Sequence, residues 1–384
     1  MAGDNKPKSN LRRLIGIACS LISLALLTYI AVSLLTGNGL GFSRFSGSSG
    51  KREAAEWVDE FNFDVGRGRV FVSLGNSVAA AGTLGIQVLD AGGNETLRDP
   101  FRMSAPAVSA LEGRAIAFDI GGSSVRVFTE SDVSASVEAS GEIISASINR
   151  NGWFCVCTQE GGGYRGAVMA YNNKGSGVYR VNVASGYVLS AALSPDNKNL
   201  AVLSLTDSGS RITFYSLNSE DADNVFDLPG GLIIDISYLP GGGLLAVSTD
   251  SLSVFDRHGA SAEIYGFSGR LLRGYAVYDD FIALHLLDYR VGYRGRIVTL
   301  SDNGNQIAEI AVDREITSMA AGDGYLAILR GDGPALYDSG LIERPLSVKP
   351  GATAGAAHVL VLSGGALLTA GDHSAVVVRA AGDR

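Results

Sequence analysis

The chain is predicted to be all-β: a propeller of eight four-stranded blades, behind one N-terminal transmembrane helix. Three observations predict it. A turn-ended strand recurs about every forty residues, anchored on Leu89, Phe128, Tyr171, Tyr215, Phe255, Leu300, Tyr337 and Val378. In seven of the eight repeats the next residue is a short polar turn former: Asp90, Thr129, Asn172, Ser216, Asp256, Ser301 and Asp338. The two ends of the array are complementary. Repeats of this length built from short strands belong to propellers.

One repeat shows how the strands are chosen. Val188-Leu-Ser-Ala-Ala-Leu-Ser alternates apolar with small polar residues, as a half-buried strand does. Pro195-Asp-Asn supplies turn chemistry, because proline fixes φ and Asn tolerates tight geometry. Leu200-Ala-Val-Leu-Ser-Leu is apolar enough to lie between packed sheets, and Arg211-Ile-Thr-Phe-Tyr-Ser returns beside it. A weaker strand through Val225-Phe-Asp-Leu completes the blade. The next repeat follows the same plan: Ile233 to Tyr238, Leu244 to Ser248, Ser253 to Asp256 and Ala262 to Tyr265.

The last repeat, from His358 to Arg379, has only three strands. An extra alternating segment, Phe61 to Val65, precedes the first repeat near Val70. A propeller hides its sheet edges by closing on itself. The N-terminal strand is therefore expected to complete the last blade. Seven blades is the alternative, since the first repeat is the least regular. The 50 glycines and a 46% hydrophobic, 18% charged composition suit a large β core with many turns.

Residues 1–13 form a basic tail with Lys6, Lys8, Arg12 and Arg13. Residues 14–35 carry no charged side chain. Twenty-two helical residues span about 33 Å, enough for a hydrocarbon core of about 30 Å. The run is longer than the apolar part of a signal peptide and ends without a small-residue cleavage site. Cys19 stands only five residues beyond Arg13, too close for a lipoprotein leader. The basic residues ahead of the helix predict a cytoplasmic N-terminus. The expected organisation is a tail (1–13), a membrane helix (14–35), a Gly/Ser-rich linker (36–56) and an extracytoplasmic propeller (57–384), hence a single-pass cell-membrane protein.

The tail holds four of the 31 Lys/Arg and one of the 39 Asp/Glu, which leaves a balance of −11 for the rest. An acidic domain of this kind argues against nucleic acid or anionic lipid as its ligand. Cys155 and Cys157 are two apart in an apolar strand, so both face one way, and they read as buried thiols between blades.

No catalytic constellation emerges. His258, His285, His358 and His373 lack metal-ligand spacing, and no nucleophile elbow occurs. Gly161-Gly-Gly and Gly241-Gly-Gly sit at hairpins, and none opens a helix that could cradle a phosphate. Asp196-Asn-Lys-Asn and Asp302-Asn-Gly-Asn lack the full calcium-loop spacing and read as turns. No cofactor or metal is expected. The hairpin between second and third strands is expected to be lengthened in blades three, four and six. Gly163-Tyr164-Arg165-Gly166 and Gly292-Tyr293-Arg294-Gly295 echo one another, with Tyr289-Arg290 before the second and Arg211 in blade four. Such hairpins emerge on one face, and Tyr and Arg are enriched in binding hot spots. The expected partner surface is Tyr164, Arg165, Arg211, Tyr289, Arg290, Tyr293 and Arg294.

The segment Leu193-Ser-Pro-Asp-Asn-Lys-Asn-Leu-Ala-Val resembles WD40-like and quinoprotein-like propellers. The whole plan resembles a bacterial membrane-anchored β-propeller family of unknown function. Quinoprotein dehydrogenases carry tryptophan-docking motifs and a vicinal cysteine pair. This chain has only Trp57 and Trp153, and Cys155 and Cys157 are not adjacent. The family resemblance implies no activity; the favoured expectation, by analogy with outer-membrane assembly scaffolds, is a non-enzymatic scaffold or sensor that binds an envelope protein or wall-associated ligand. The alternative is an extracytoplasmic enzyme acting on a glycan or small molecule in the channel, with Glu142, Asp235, Asp279 and Asp280 as its available carboxylates.

Overall fold

The repeat unit materialises as eight sheets in a computed structural model that describes residues 56–256, 260–372 and 375–381. Blade one consists of Val70–Ser73, Ser77–Gly82, Gly85–Asp90 and Glu95–Pro100. Blades two to seven begin at Pro106, Ile143, Tyr187, Ile233, Leu271 and Ile316, each an antiparallel meander in sequence order. Blade eight takes His358–Val361, Leu367–Ala370 and Ala375–Ala380 from the C-terminus and Glu60–Phe61 from the N-terminus. The eight-bladed expectation holds. The predicted tail, membrane helix and linker up to residue 55, together with Cys19, His258 and His373, lie outside the described residues.

The anchors recur because each fills an inter-blade gap. Eight apolar clusters lie between neighbouring blades among the described residues, and each holds one anchor. Leu89 packs between blades eight and one, Phe128 between one and two, Tyr171 between two and three. Tyr215, Phe255, Leu300, Tyr337 and Val378 continue the series around the ring. A third strand must carry one large side chain towards the preceding blade, which fixes the forty-residue period. Cys155 and Cys157 face blade four and the intervening Val156 faces blade two, as the alternation requires.

The turn formers act through their side chains. The carboxylates of Asp90, Asp256 and Asp338 and the amide oxygen of Asn172 each accept the backbone N–H four residues on, at 2.8–3.0 Å. These bonds close the hairpin into the outer strand. The N–H of Asn94 and its side-chain amide hold the Asp90 carboxyl below the usual carboxylate range. Bonds between blades repeat the period too. The hydroxyls of Ser145 and Ser147 donate to the carbonyls of Leu189 and Ala191, each 44 residues on, at 3.0 and 2.7 Å.

Ring closure is shorter than the sequence suggests. Of the N-terminal segment only Glu60 and Phe61 pair with the last strand, opposite Val376 and Ala375, while Leu346–Ser347 pairs with its far end at Ala380 and Arg379. Asp64 and Val65 instead bond to blade one: the Asp64 N–H donates to Gln87 at 2.8 Å, and the Val65 carbonyl accepts from Leu84 at 2.9 Å. The predicted strand Phe61 to Val65 is thus a crossover, tied to blade eight at one end and blade one at the other. Aromatic packing supplies what the ladder lacks. Trp57, Phe61, Phe63 and Phe71 run edge-on or tilted against one another with centroids 5.6–6.2 Å apart. Trp57 Nε1 donates to the Ser363 carbonyl at 3.1 Å. Outside, Arg379 and Lys349 clamp the Asp59 carboxylate at 2.6 and 3.2 Å, and Arg379 also donates to the Trp57 carbonyl.

Candidate functional site: a one-ended channel and a tyrosine–arginine rim

In a meander blade the first-to-second and third-to-outer turns share one face of the ring, and the second-to-third turns share the other. The axis is closed towards the first face. Arg150, in the turn after the innermost strand of blade three, bonds both to Glu112 of blade two and to Asp279 of blade six. Blades three and six stand well around the ring from each other, so this guanidinium bridges the channel. Leu111 of blade two packs against the cluster between blades five and six, also across the axis. The space left between them is about 40 Å³, bordered by Ser109, Asn149, Arg150 and Tyr238. The half-buried triad is a paired arrangement, in which removing one partner leaves an uncompensated charge.

The carboxylates that could serve channel chemistry do not meet. Asp279 is held by Arg150, and Asp280 beside it is exposed. Asp235, in the innermost strand of blade five, is buried and accepts the hydroxyl of Tyr275 in blade six. Glu142 is exposed at the opposite end of its strand from these turns. Among the described residues no three His, Cys, Asp or Glu side chains cluster as metal ligands. A groove of about 960 Å³ lies on the closed face, between blades four, five and six, and is acidic through Asp196, Asp256 and Asp302.

The rim residues all lie on the other face, in three environments. In blade three, Arg165 donates to the Tyr187 hydroxyl at 2.7 Å and stacks 5.1 Å from its ring centroid, with Tyr164 exposed beside them. Sequence reasoning missed Tyr187; its place just before an apolar strand was the available signal. In blade four, Arg211 is a strand residue whose guanidinium forms two bonds to Asp227, at 2.7 and 3.0 Å. Its hairpin is not a long loop: the flanking strands Asn199–Thr206 and Gly209–Ser216 extend to a two-residue turn. The expected lengthening is in the strands there, because Gly209 at φ 140° permits the tight reversal.

Blade six carries a loop over residues 288–294, as long as that of blade three over residues 159–165. Its base is fixed by Asp288, which meets Arg270 and Arg296 at 3.4 Å and Arg294 at 3.6 Å. Its tip presents Tyr289 (63% exposed), Val291 (89%) and Tyr293 (50%). Arg290 makes no hydrogen bond or ion pair with a described residue and is exposed. Blades four and five separate this loop from Tyr164 and Arg165. The seven rim residues therefore share a face without forming one patch.

Architecture and site define the class: an eight-bladed β-propeller of WD40-like fold, closed at one end of its axis and decorated on the opposite face. The chain belongs to the family of unknown function DUF5711, whose model matches residues 52–343. Among solved structures, the C-terminal WD40 domain of Sif2 superposes with a TM-score of 0.59 at 14% identity, covering 89% of this chain and all of that one. Sqt1 from Saccharomyces cerevisiae gives 0.55 at 12% identity, over 85% and 99% of the two chains. BamB from Moraxella catarrhalis gives 0.53 at 15% identity, over 84% and 99%. At these identities the likeness is one of fold. No curated protein matches the sequence.

Proposed function

We propose that the chain is a membrane-anchored, extracytoplasmic docking module without catalytic activity, which binds an envelope protein through the blade-six loop. The observation that carries this reading is the loop itself. Asp288 and three arginines hold its base, while Tyr289, Val291 and Tyr293 project apolar surface into solvent beside Arg290. A rigid support under exposed aromatic and guanidinium groups is what a binding hot spot needs, because little side-chain entropy is lost on docking. Tyr164 and the stacked Arg165–Tyr187 pair form a second contact point for a partner large enough to span blades four and five.

The separated and engaged carboxylates of the channel support the non-enzymatic reading over a glycan-processing one. Anchoring rests on the uncharged run of residues 14–35 and the basic residues before it.

The triple variant Tyr289→Ala, Arg290→Ala, Tyr293→Ala tests the docking surface. All three side chains project from one loop, so the melting temperature is expected to stay within about 1 °C of wild type. Affinity for the partner recovered by pull-down of the full chain from solubilised membranes is expected to fall about a hundredfold or more. An unchanged affinity with an unchanged fold removes the loop from the interface.

A further inference from the structure

Five innermost strands share an irregularity at one position. Their pairing with the second strand slips between Ile143 and Ser145, Val188 and Ser190, Ile233 and Asp235, Leu272 and Gly274, and Ile316 and Ser318. The inserted residues are Ile144, Leu189, Ile234, Arg273 and Thr317. A bulge releases its extra residue from the ladder and re-aims its side chain. On an innermost strand the unpaired edge faces the axis, and Ile144, Leu189 and Ile234 each pack against the apolar cluster towards the next blade, so these residues form a tier at the axial edge of the inter-blade gaps. Arg273 is the only charged member of that tier. It is half-buried and, among the described residues, makes no hydrogen bond or ion pair. A cation held partly away from water without a counter-charge is costly.

Two further features sit beside it. A Cβ built on Gly274 would meet no atom within 4 Å beyond its two chain neighbours, so there is room on this face of the strand. Across the ladder Gly274 is paired with His285, and paired residues project on the same face. His285 is 3% exposed, and its Nε2 has no hydrogen-bond partner. An orphaned buried nitrogen is rare in folded proteins and calls for a partner. Burial, and then the Arg273 charge, push the imidazole down to about 4, so near neutrality it is uncharged with one N–H to donate.

We propose that Arg273 and His285 form an oxyanion site at the axial edge of the gap between blades six and seven, which takes the carboxylate or phosphate group of a small ligand into the room left by Gly274. The guanidinium supplies the charge and a two-pronged donor surface, and the imidazole supplies a neutral donor. The site is reached from the face bearing the blade-six loop, because the opposite end is closed by Arg150. It does not depend on what that loop binds.

Selective isotope labelling of histidine in the detergent-solubilised full chain gives four imidazole signals to follow, since the sequence has four histidines. Inorganic phosphate and acetate are titrated separately. The signal that disappears in His285→Gln is expected to shift saturably with at least one anion. A response to phosphate alone makes this a phosphate site, and a response to acetate alone a carboxylate site. In Arg273→Gln and Gly274→Ala the affinity is expected to fall about tenfold or more. Gly274→Ala meets no steric obstacle, so it fills the site while the melting curve stays in place. No saturable shift of the His285 signal with either anion overturns the proposal, and so does an equal shift in both variants.

Discussion

Replacing Trp57 by alanine is expected to lower the stability of the propeller by about 4 kcal/mol, because a buried tryptophan truncated in a core costs about 3–5 kcal/mol. The effect is large because so little else closes the ring. Two residue pairs join Glu60–Phe61 to the last strand, whereas neighbouring strands within a blade are joined by four to eight in most cases. Trp57 is 4% exposed, seats Phe61 at a centroid distance of 6.2 Å and bonds the Ser363 carbonyl. Truncation empties this cluster and leaves that carbonyl without its donor. The melting temperature should drop by about 5–10 °C. Amide exchange should accelerate first at residues 375–377, whose outer edge the N-terminal segment covers. A melting temperature that moves by about 1 °C or less would mean that closure does not limit stability.

Acidification is expected to weaken the fold through His285. Burial, with Arg273 nearby, lowers its pKa from the ordinary 6.5 to about 4. A histidine depressed in the folded state contributes stability that is complete above about pH 6.5, where both states are neutral. Between about pH 6.5 and pH 4 the unfolded chain takes up a proton that the folded one refuses, and the contribution is lost. The span corresponds to on the order of 3 kcal/mol. His358 is shifted in the same direction by burial and adds to the trend. Melting curves in a buffer free of phosphate and carboxylates should show wild type losing stability across this window and His285→Gln losing clearly less. Equal losses would remove His285 as a source of the pH dependence.

These two predictions draw on different kinds of information in the sequence. The closure was legible because it is a matter of pattern: three strands at the end, one spare at the beginning. The eight anchors were legible because each blade needs one large side chain towards its neighbour, and chain order preserves that need. Strand boundaries of blades four and five fell within a few residues of Tyr187–Leu193, Asn199–Thr206 and Ile233–Tyr238. The length of the closing strand was misjudged because Phe63 and Val65 are buried like strand residues while their backbone turns towards blade one.

The channel was not legible. Glu112 lies 38 residues from Arg150, and Asp279 lies 129 residues from it. Each sits in a turn that by composition alone belongs to solvent. Only the geometry of a closed ring brings three such turns together over the axis. The rim was half legible. Topology places every second-to-third turn on one face, so the seven residues could be assigned to it. Whether an arginine there is occupied depends on a partner in another strand, as with Arg211 and Asp227 or Arg165 and Tyr187. That left Tyr164 of blade three, with Arg290 and the tyrosines of blade six, as groups presented outward.

The most direct test of the docking account is site-specific photo-crosslinking in intact cells, with the probe in place of Tyr289 and, as a control on the closed face, in place of the exposed Lys198. The account predicts one discrete protein adduct from position 289 and none from position 198. An adduct from position 198 alone, the same adduct from both positions, or none from either would contradict it.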